Sequence, residues 1–300
     1  MSAKASATLA AATTGILVGA AMVSTRAVSD EASPATLAFL RYFIGMGVLA
    51  APVWLGARPR FAWRDAFAIS LLGIFQFAVL IVLLNHALAI LPAATCALVF
   101  STMPLFTMTL AVASRSEAFS LHKLFGLLIA LAGVAVLLRA SFAHPGSVDM
   151  GALSALIGAT LIGAVCSLLY RLLLKRYPAL PTSALAMSAA VVFLVGLCWI
   201  TARPLMPTLS MTQWENVGFI GLSSGVGYFC WLWALTRLDA SRVVAFQALG
   251  PVTAAVVEVV VTRQWPTSTL VIAVALVVSG LLVSQWRKPE REIEHSVADA

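Results

Sequence analysis

The chain alternates ten long apolar stretches with short polar segments. A helix needs roughly 20 mostly apolar residues to cross the hydrocarbon core of a membrane, and each stretch is close to that length. The pattern predicts an all-α integral membrane protein with ten transmembrane helices. The predicted spans are Ala7–Val28, Ala35–Leu55, Ala66–Ile90, Ala93–Ala113, Leu121–Leu138, Gly151–Leu173, Ser183–Thr201, Trp214–Thr236, Ser241–Val261 and Thr267–Trp286.

The stretches form two sets of five that repeat at an offset of about 147 positions, which pairs Pro104 with Pro251 and Gly133 with Gly280. Because five is odd, the second set must enter the membrane from the opposite side. Inverted repeats are typical of secondary transporters, whose substrate sites lie near mid-membrane at the repeat interface. The predicted organisation is a first five-helix repeat (1–140), a linker (141–149), an inverted second repeat (150–286) and a cytoplasmic tail (287–300).

Charge supports this topology and sets its orientation. Only 10% of the residues are charged, against about 25% in a soluble domain. With a cytoplasmic N-terminus, 14 lysines and arginines fall on the cytoplasmic side and four on the outer side. Cytoplasmic loops carry the excess of basic residues, so both termini are predicted to be cytoplasmic. The net charge of +7 is spread over these loops rather than gathered in a stripe, which argues against nucleic acid as a partner.

Close helix contacts are predicted where small residues recur four positions apart, because such residues let two helix backbones approach. The pairs predicted to lie in such contacts are Gly15/Gly19, Gly126/Ala130 and Gly221/Gly225.

Hinges are predicted in the middle of spans four and nine. Pro104 and Pro251 each remove a backbone donor there, which kinks a helix. The following spans contain Gly133 and Gly280 at equivalent positions. Two equivalent kinks suit a pair of gates that bend in alternation, so these four residues are predicted to have gating or hinge roles.

Charged residues within the spans are few and are expected to pair, because a charge in a bilayer is costly. Arg41 lies about two turns into span two, and Glu258 lies about one turn inside span nine from the same side. They are predicted to form an ion pair. Its role is left open between structure, an outer gate and binding one end of a zwitterion.

Polar and aromatic side chains deeper in the spans are candidates for lining a cavity. Aromatic rings with a polar group offer apolar area and a hydrogen bond, which suits a neutral organic substrate. The predicted substrate-binding residues are Tyr42, Gln76, Asn85, Ser101, Tyr170, Tyr228, Trp231 and Gln247.

Motifs for other chemistry are weak. The four cysteines lie apart within different spans and show no disulfide or metal pattern. Residues 221–225 match G-x-S-x-G, but in the middle of a predicted membrane helix; an intramembrane serine hydrolase using Ser223 with His86 as base is the alternative class. No nucleotide-binding fingerprint occurs. We expect no catalytic residues, no metal and no cofactor.

The paired five-span units, the helices of Pro104 and Pro251, and Glu117 (Gln264 in the second repeat) followed by Gly133 and Gly280 resemble the EamA family of the drug/metabolite transporter superfamily. Within it the chain looks most like the YddG-type bacterial exporters of amino acids. The resemblance implies an inner-membrane exporter with a central cavity lined by spans one, three, four, six, eight and nine.

The predicted function is therefore alternating-access export of neutral, especially aromatic and hydrophobic, amino acids. Phosphorylated substrates would need several cavity cations, and only Arg41 is available. Export of another small metabolite or a drug is the alternative within transport. The expected partners are a small amino-acid substrate and the lipid bilayer, with protons as a candidate coupling ion, and the protein is expected to be a monomer.

Overall fold

The structure is a computed structural model that describes residues 3–55, 60–115, 121–142, 149–263, 265 and 267–285. These residues form helices joined by short connections and include no β-strand. A π-helical segment, Ile74–Val79, follows directly after Gly73, and a 3₁₀ turn, Phe246–Ala248, follows directly after Ala245. The helices are α1 (Ala3–Arg26), α2 (Pro34–Leu55), α3 (Trp63–Gly73), α4 (Leu80–Ile90), α5 (Ala93–Phe100), α6 (Met103–Ala113), α7 (Leu121–Phe142), α8 (Met150–Leu173), α9 (Ala179–Ile200), α10 (Met211–Leu235), α11 (Ala240–Ala245), α12 (Leu249–Thr262) and α13 (Ser268–Gln285).

Most of the helical segments suit a membrane. Among the described residues, seven segments are long and apolar enough to cross one, and three shorter segments are also apolar: Pro34–Leu49, Leu124–Gly133 and Ser268–Gly280. The chain is thus an all-helical, multi-pass membrane protein. Most of the predicted linker (143–148) and the predicted tail (287–300) lie outside the described residues.

Helix packing follows the same plan in the two halves of the chain. α1 packs against α10 and α12, and α8 packs in the corresponding way against α4 and α6. α2 packs against α10 while α9 packs against α3, and α2 and α9 also contact each other. α7 and α13 form a separate pair. Each of these contacts between the two halves therefore has a counterpart at the offset seen in the sequence.

The small residues predicted to lie in helix contacts do so. A Cβ added at Gly225 would lie 2.8 Å from the carbonyl oxygen of Gly45, so α2 and α10 touch backbone to backbone. Gly19 of α1 lies against Gly250, and Gly280 of α13 lies against Gly126. All three predicted pairs are confirmed as contact points, at α1–α12, α7–α13 and α2–α10.

Each mid-span proline follows an interruption of its helix. α5 ends before the turn formed by Ser101 and Thr102, and Pro104 lies in the first turn of α6. Pro251 comes just after the 3₁₀ turn. Proline cannot donate to the carbonyl four residues earlier, and this is the physical reason for a break at both places. The hydroxyls of Ser101 and Thr102 donate to the carbonyls of Leu98 and Val99 at 2.6 and 2.7 Å.

The π-helical segment breaks the equivalence of the two halves. Its counterpart at the 147-residue offset, residues 221–226, is ordinary α-helix within α10. A π segment accommodates an extra residue within a helix and so changes the direction in which the following side chains point. Such segments are frequent at functional sites. Here the segment carries Gln76 and Phe77. It directly follows Gly73, where an added Cβ would lie 2.7 Å from Ala186 Cα. The backbone of α9 is therefore in close contact with the helix just before the π segment.

Candidate functional site

A cavity opens midway along the helices, between the two halves of the chain. It contains about 710 Å³ of space free of protein atoms, including the part that is open to the outside. α1, α2, the π segment, α4, the α5–α6 region, α10 and the 3₁₀ turn form its wall. The lining residues are Thr14, Leu17, Val18, Ala21, Met22, Arg41, Tyr42, Gln76, Phe77, Leu80, Ile81, Leu84, Phe100, Met103, Ser223, Ser224, Gly227, Tyr228, Trp231 and Gln247.

Twelve of these residues form six pairs related by the 147-residue offset, so equivalent positions of the two halves face the same space. The chemistry of the pairs differs, since the first half supplies three aliphatic side chains, two phenylalanines and an amide, whereas the second supplies two serines, a glycine, Tyr228, Trp231 and an amide. The pairs are Gln76/Ser223, Phe77/Ser224, Leu80/Gly227, Ile81/Tyr228, Leu84/Trp231 and Phe100/Gln247.

Aromatic rings cover one side of the cavity. Phe77 contacts Tyr42 with ring centroids 4.6 Å apart and Tyr228 with centroids 4.1 Å apart. Tyr228 in turn stacks on Trp231 at 5.3 Å. Tyr170 supports both from behind, edge-on to each, at 6.1 and 5.9 Å. Edge-to-face and offset arrangements are the favourable geometries for rings, so this wall is fixed by its own packing.

Several buried polar atoms of the cavity lack a hydrogen-bond partner among the described residues. They are Nε of Arg41, Oε1 of Gln76 and Oε1 of Gln247. Arg41 and Gln247 are only 6% and 7% exposed. Native proteins leave few buried polar atoms unpaired, and a cluster of them in one cavity indicates a place for a polar ligand.

The structure brings together five of the eight predicted substrate-binding residues, namely Tyr42, Gln76, Tyr228, Trp231 and Gln247. The other three lie outside the cavity lining. Asn85 donates from Nδ2 to the carbonyl of Pro34 at 3.0 Å and so connects α4 to the start of α2. Ser101 donates within its own turn. Tyr170 is fully buried behind the aromatic wall.

The predicted gating glycines lie at a helix contact. A Cβ at Gly133 would lie 2.7 Å from the carbonyl oxygen of Ala273, and Gly280 faces Gly126 and Ala130. Both glycines thus allow α7 and α13 to approach each other. A hinge role for them, and for Pro104 and Pro251, stays a prediction.

The predicted ion pair also stays a prediction. Arg41 faces the cavity, whereas the side chain of Glu258 lies outside the described residues. The helix that carries Glu258, α12, packs against α1 and α5, while α2 packs against α9, α10 and α4. Glu117 and Gln264, which contributed to the family resemblance, also lie outside the described residues.

Polar contacts join helices at both ends of the helix bundle. At one end Arg26, the last residue of α1, donates to the carbonyl of Leu88 at 2.5 Å, near the end of α4. At the other end Arg171 of α8 forms a salt bridge with Asp239, which follows α10. α1 and α4 correspond to α8 and α10, so the two contacts occupy equivalent places at opposite ends of the helices.

The lining differs from the expectation in two helices, α8 and α2. Span six was expected to line the cavity, but α8 contributes no lining residue and α2 contributes Arg41 and Tyr42. A Cβ at Gly163 of α8 would lie 3.0 Å from Met103 Sδ and 3.2 Å from Leu80 Cδ1, so these two side chains separate α8 from the cavity. Apolar lining residues such as Phe77 and Phe100 could not be identified from sequence, because they look like ordinary membrane-facing positions.

The geometry for a serine hydrolase is not assembled. Ser223 donates to the carbonyl of Ile220 of its own helix at 3.0 Å. His86 is exposed on α4 and is not among the residues that line the cavity around Ser223. Over the described ranges, no group of three or more His, Cys, Asp or Glu side chains could hold a metal ion.

A multi-pass helical protein with a partly polar cavity between equivalent halves has the architecture of a small-molecule transporter. The comparisons agree. The model of the EamA-like transporter family matches residues 5–139 and again residues 150–285. The chain belongs to this family.

Relatives and a solved structure extend the match. An uncharacterized transporter of Archaeoglobus fulgidus is 26% identical, covering 84% of this chain and 88% of that protein. A probable terminal-alkyne amino-acid exporter of Streptantibioticus cattleyicolor is 27% identical, covering 84% and 83%. A protein crystal structure that is 24% identical matches with a TM-score of 0.74 over 94% of this chain and 96% of that chain. This last similarity concerns the fold.

Proposed function

We propose that this transporter exports neutral, especially aromatic and hydrophobic, amino acids across a bacterial inner membrane by alternating access. The observation that carries the proposal is the central cavity, where an aromatic wall meets a few buried polar atoms without partners. The apolar side chain of such an amino acid matches the aromatic wall, and its charged carboxylate and ammonium groups match the buried polar atoms. The similarity to an amino-acid exporter named for a terminal-alkyne substrate also favours this class.

The proposed topology has ten spans in two inverted repeats, with both termini in the cytoplasm. Three continuous segments are counted as single spans despite their irregular backbone: α3 to α4, α5 to α6, and α11 to α12. The equivalent helix contacts in the two halves support the repeat, and the distribution of lysine and arginine supports the orientation. Under this topology the Arg26 contact lies at the outer end and the Arg171–Asp239 contact at the inner end.

Alternating access is supported by the unequal use of two equivalent helices. α1 lines the cavity with Thr14, Leu17, Val18, Ala21 and Met22, whereas the corresponding positions of α8 do not line it. In alternating access, inverted repeats move against each other around a fixed site and exchange their open and closed conformations. The exchange would close the cavity along α1 and open it along α8.

The test is counterflow in proteoliposomes containing the purified protein. Tryptophan, phenylalanine, methionine and threonine are compared with a sugar and a quaternary ammonium compound, each with and without an imposed pH gradient. We expect saturable exchange of the amino acids, fastest for the aromatic ones, and a response to the gradient would establish proton coupling. Exchange of the quaternary ammonium alone would make the protein a drug exporter, and exchange of none of the amino acids would reject the proposed substrates.

A further inference from the structure

Arg41 is the only charged side chain among the described residues that line the cavity. It lies about two turns into α2, is 6% exposed, and its Nε has no hydrogen-bond partner among the described residues. Burying an unpaired charge is costly, so a site of this kind favours a ligand that supplies the opposite charge. The planar guanidinium presents its donors in a fork that matches a carboxylate.

The surroundings of Arg41 leave room for such a ligand. Its neighbour Tyr42 and every other described residue of the cavity lining are uncharged. α2 is packed against α9, α10 and α4, which bring no described carboxylate into the lining. No described residue of the lining supplies a carboxylate at this place, and the transported molecule can supply one.

The unpaired acceptors lie in the same cavity. Oε1 of Gln76 belongs to the π-helical segment, and Oε1 of Gln247 belongs to the 3₁₀ turn. Both segments are irregular, and irregular backbone within a membrane is tolerated only where it is buried in protein or lines a cavity, while π segments are frequent at functional sites. An ammonium group has three donors and no acceptor, so it requires oxygens of this kind. A guanidinium donor and two amide oxygens together fit the two ends of a zwitterion.

We propose that Arg41 binds the α-carboxylate of the substrate and that the amide oxygens of Gln76 and Gln247 accept hydrogen bonds from its ammonium group. The substrate side chain then lies against Tyr228 and Trp231. This assignment rests on the proposed function, since it takes amino acids as the substrates. It predicts that transport requires both the carboxylate and the ammonium group of the substrate, whereas different apolar side chains are accepted.

The experiment measures how unlabelled compounds compete with labelled phenylalanine in counterflow. The competitors are phenylalanine, phenethylamine, which lacks the carboxylate, and 3-phenylpropionate, which lacks the ammonium group. For the wild-type protein we expect either truncated compound to compete at least tenfold more weakly than phenylalanine. For Arg41→Gln we expect the KM for phenylalanine to rise at least tenfold, with phenethylamine now competing as well as phenylalanine.

Matched variants separate the two ends of the substrate. Arg41→Lys keeps the charge but loses the fork, so its KM should lie between those of the wild type and Arg41→Gln. Gln76→Leu and Gln247→Leu should weaken competition by phenylalanine and leave that by 3-phenylpropionate unchanged. Arg64→Gln makes the same substitution at an exposed arginine that stacks on Trp63, and should behave like the wild type.

The outcomes distinguish this assignment from the proposed function. If the wild type exchanges aromatic amino acids but phenethylamine competes equally well, the assignment is overturned and the function stands. If Glu258→Gln reverses the defect of Arg41→Gln, Arg41 belongs to the predicted ion pair instead. Absence of any amino-acid exchange by the wild type overturns both. The wild-type comparison decides the question even if Arg41→Gln does not fold.

Discussion

Phe77 packs edge-on against Tyr228 with the ring centroids 4.1 Å apart, and the two residues come from different halves of the chain. Phe77 belongs to the π-helical segment and Tyr228 to α10. The contact joins the halves across the cavity and holds the aromatic wall against which a substrate side chain would lie. It places the irregular backbone of one half beside the regular helix of the other.

Replacing Trp231 with Ala should impair transport of aromatic substrates most. The change removes the ring stacked on Tyr228, and an aromatic pair is worth about 0.5–1.5 kcal/mol beyond its buried area. We expect roughly a fivefold or larger increase in the KM for tryptophan and a smaller increase for threonine, measured by counterflow. Trp231→Phe should have a KM for tryptophan close to that of the wild type.

Trp199→Ala, at a residue 85% exposed, is the matched control for Trp231→Ala. Equal losses for tryptophan and threonine would argue against a side-chain site at this wall.

Gly225→Ala should destabilise the protein, whereas Gly218→Ala in the same helix should not. A Cβ at Gly225 would lie 2.8 Å from the carbonyl oxygen of Gly45 and 3.2 Å from Val48 Cβ, and the backbone of α2 cannot easily move away. Overpacking of this kind costs about 1–3 kcal/mol. A Cβ at Gly218 would meet nothing within 4 Å. Thermal unfolding of the detergent-solubilised variants measures the difference. An unchanged melting temperature for Gly225→Ala would contradict the close contact of α2 and α10.

Replacing Pro104 or Pro251 with Ala should slow turnover more than it weakens binding. Alanine restores the backbone donor that each proline removes, which favours a straighter, more uniform helix. We expect a clear fall in the maximal rate of counterflow with little change in KM. Pro207→Ala, in the connection between α9 and α10, makes the same substitution outside the helices and should leave both parameters unchanged. If both helix variants keep the wild-type rate, the prolines are static kinks.

The two end contacts should act as gates on opposite sides of the membrane. Arg26→Gln weakens the contact with Leu88, and Asp239→Asn removes the charge that faces Arg171. A cysteine placed at Ser224, which lines the cavity, can be probed with a membrane-impermeant thiol reagent after the native cysteines have been replaced. We expect Arg26→Gln to raise the labelling rate from the outer side and Asp239→Asn to raise it from the cytoplasmic side.

The result of this labelling experiment is the side of the membrane from which the labelling rate increases in each variant. Vesicles of known orientation give each side separately. Arg237→Gln is the control, because that arginine follows the end of α10 and stacks on Trp233 of that helix. Increased labelling from the same side in both variants would contradict the opposed gates. A reversal of the two sides would contradict the predicted orientation of the termini and leave the gates in place.

Local features of the sequence were sufficient for the helical architecture. The apolar stretches predicted a multi-pass helical protein, because backbone groups in lipid must be satisfied within helices. The glycine and alanine spacings predicted real helix contacts, because a backbone can approach closely only where side chains are small. The prolines predicted where two helices are interrupted, because the missing N–H is a property of the residue itself.

The composition of the cavity required the tertiary structure. Polarity alone identified Gln76 and Gln247, but it could not separate them from Asn85, whose amide bonds to the carbonyl of Pro34. Nor could it reveal that Met103 and Leu80 exclude α8 from the lining while α2 contributes Arg41. In a membrane helix an apolar side chain suits lipid, a helix contact and a cavity equally well. Only the packing of helices distant in the sequence decides among these three environments.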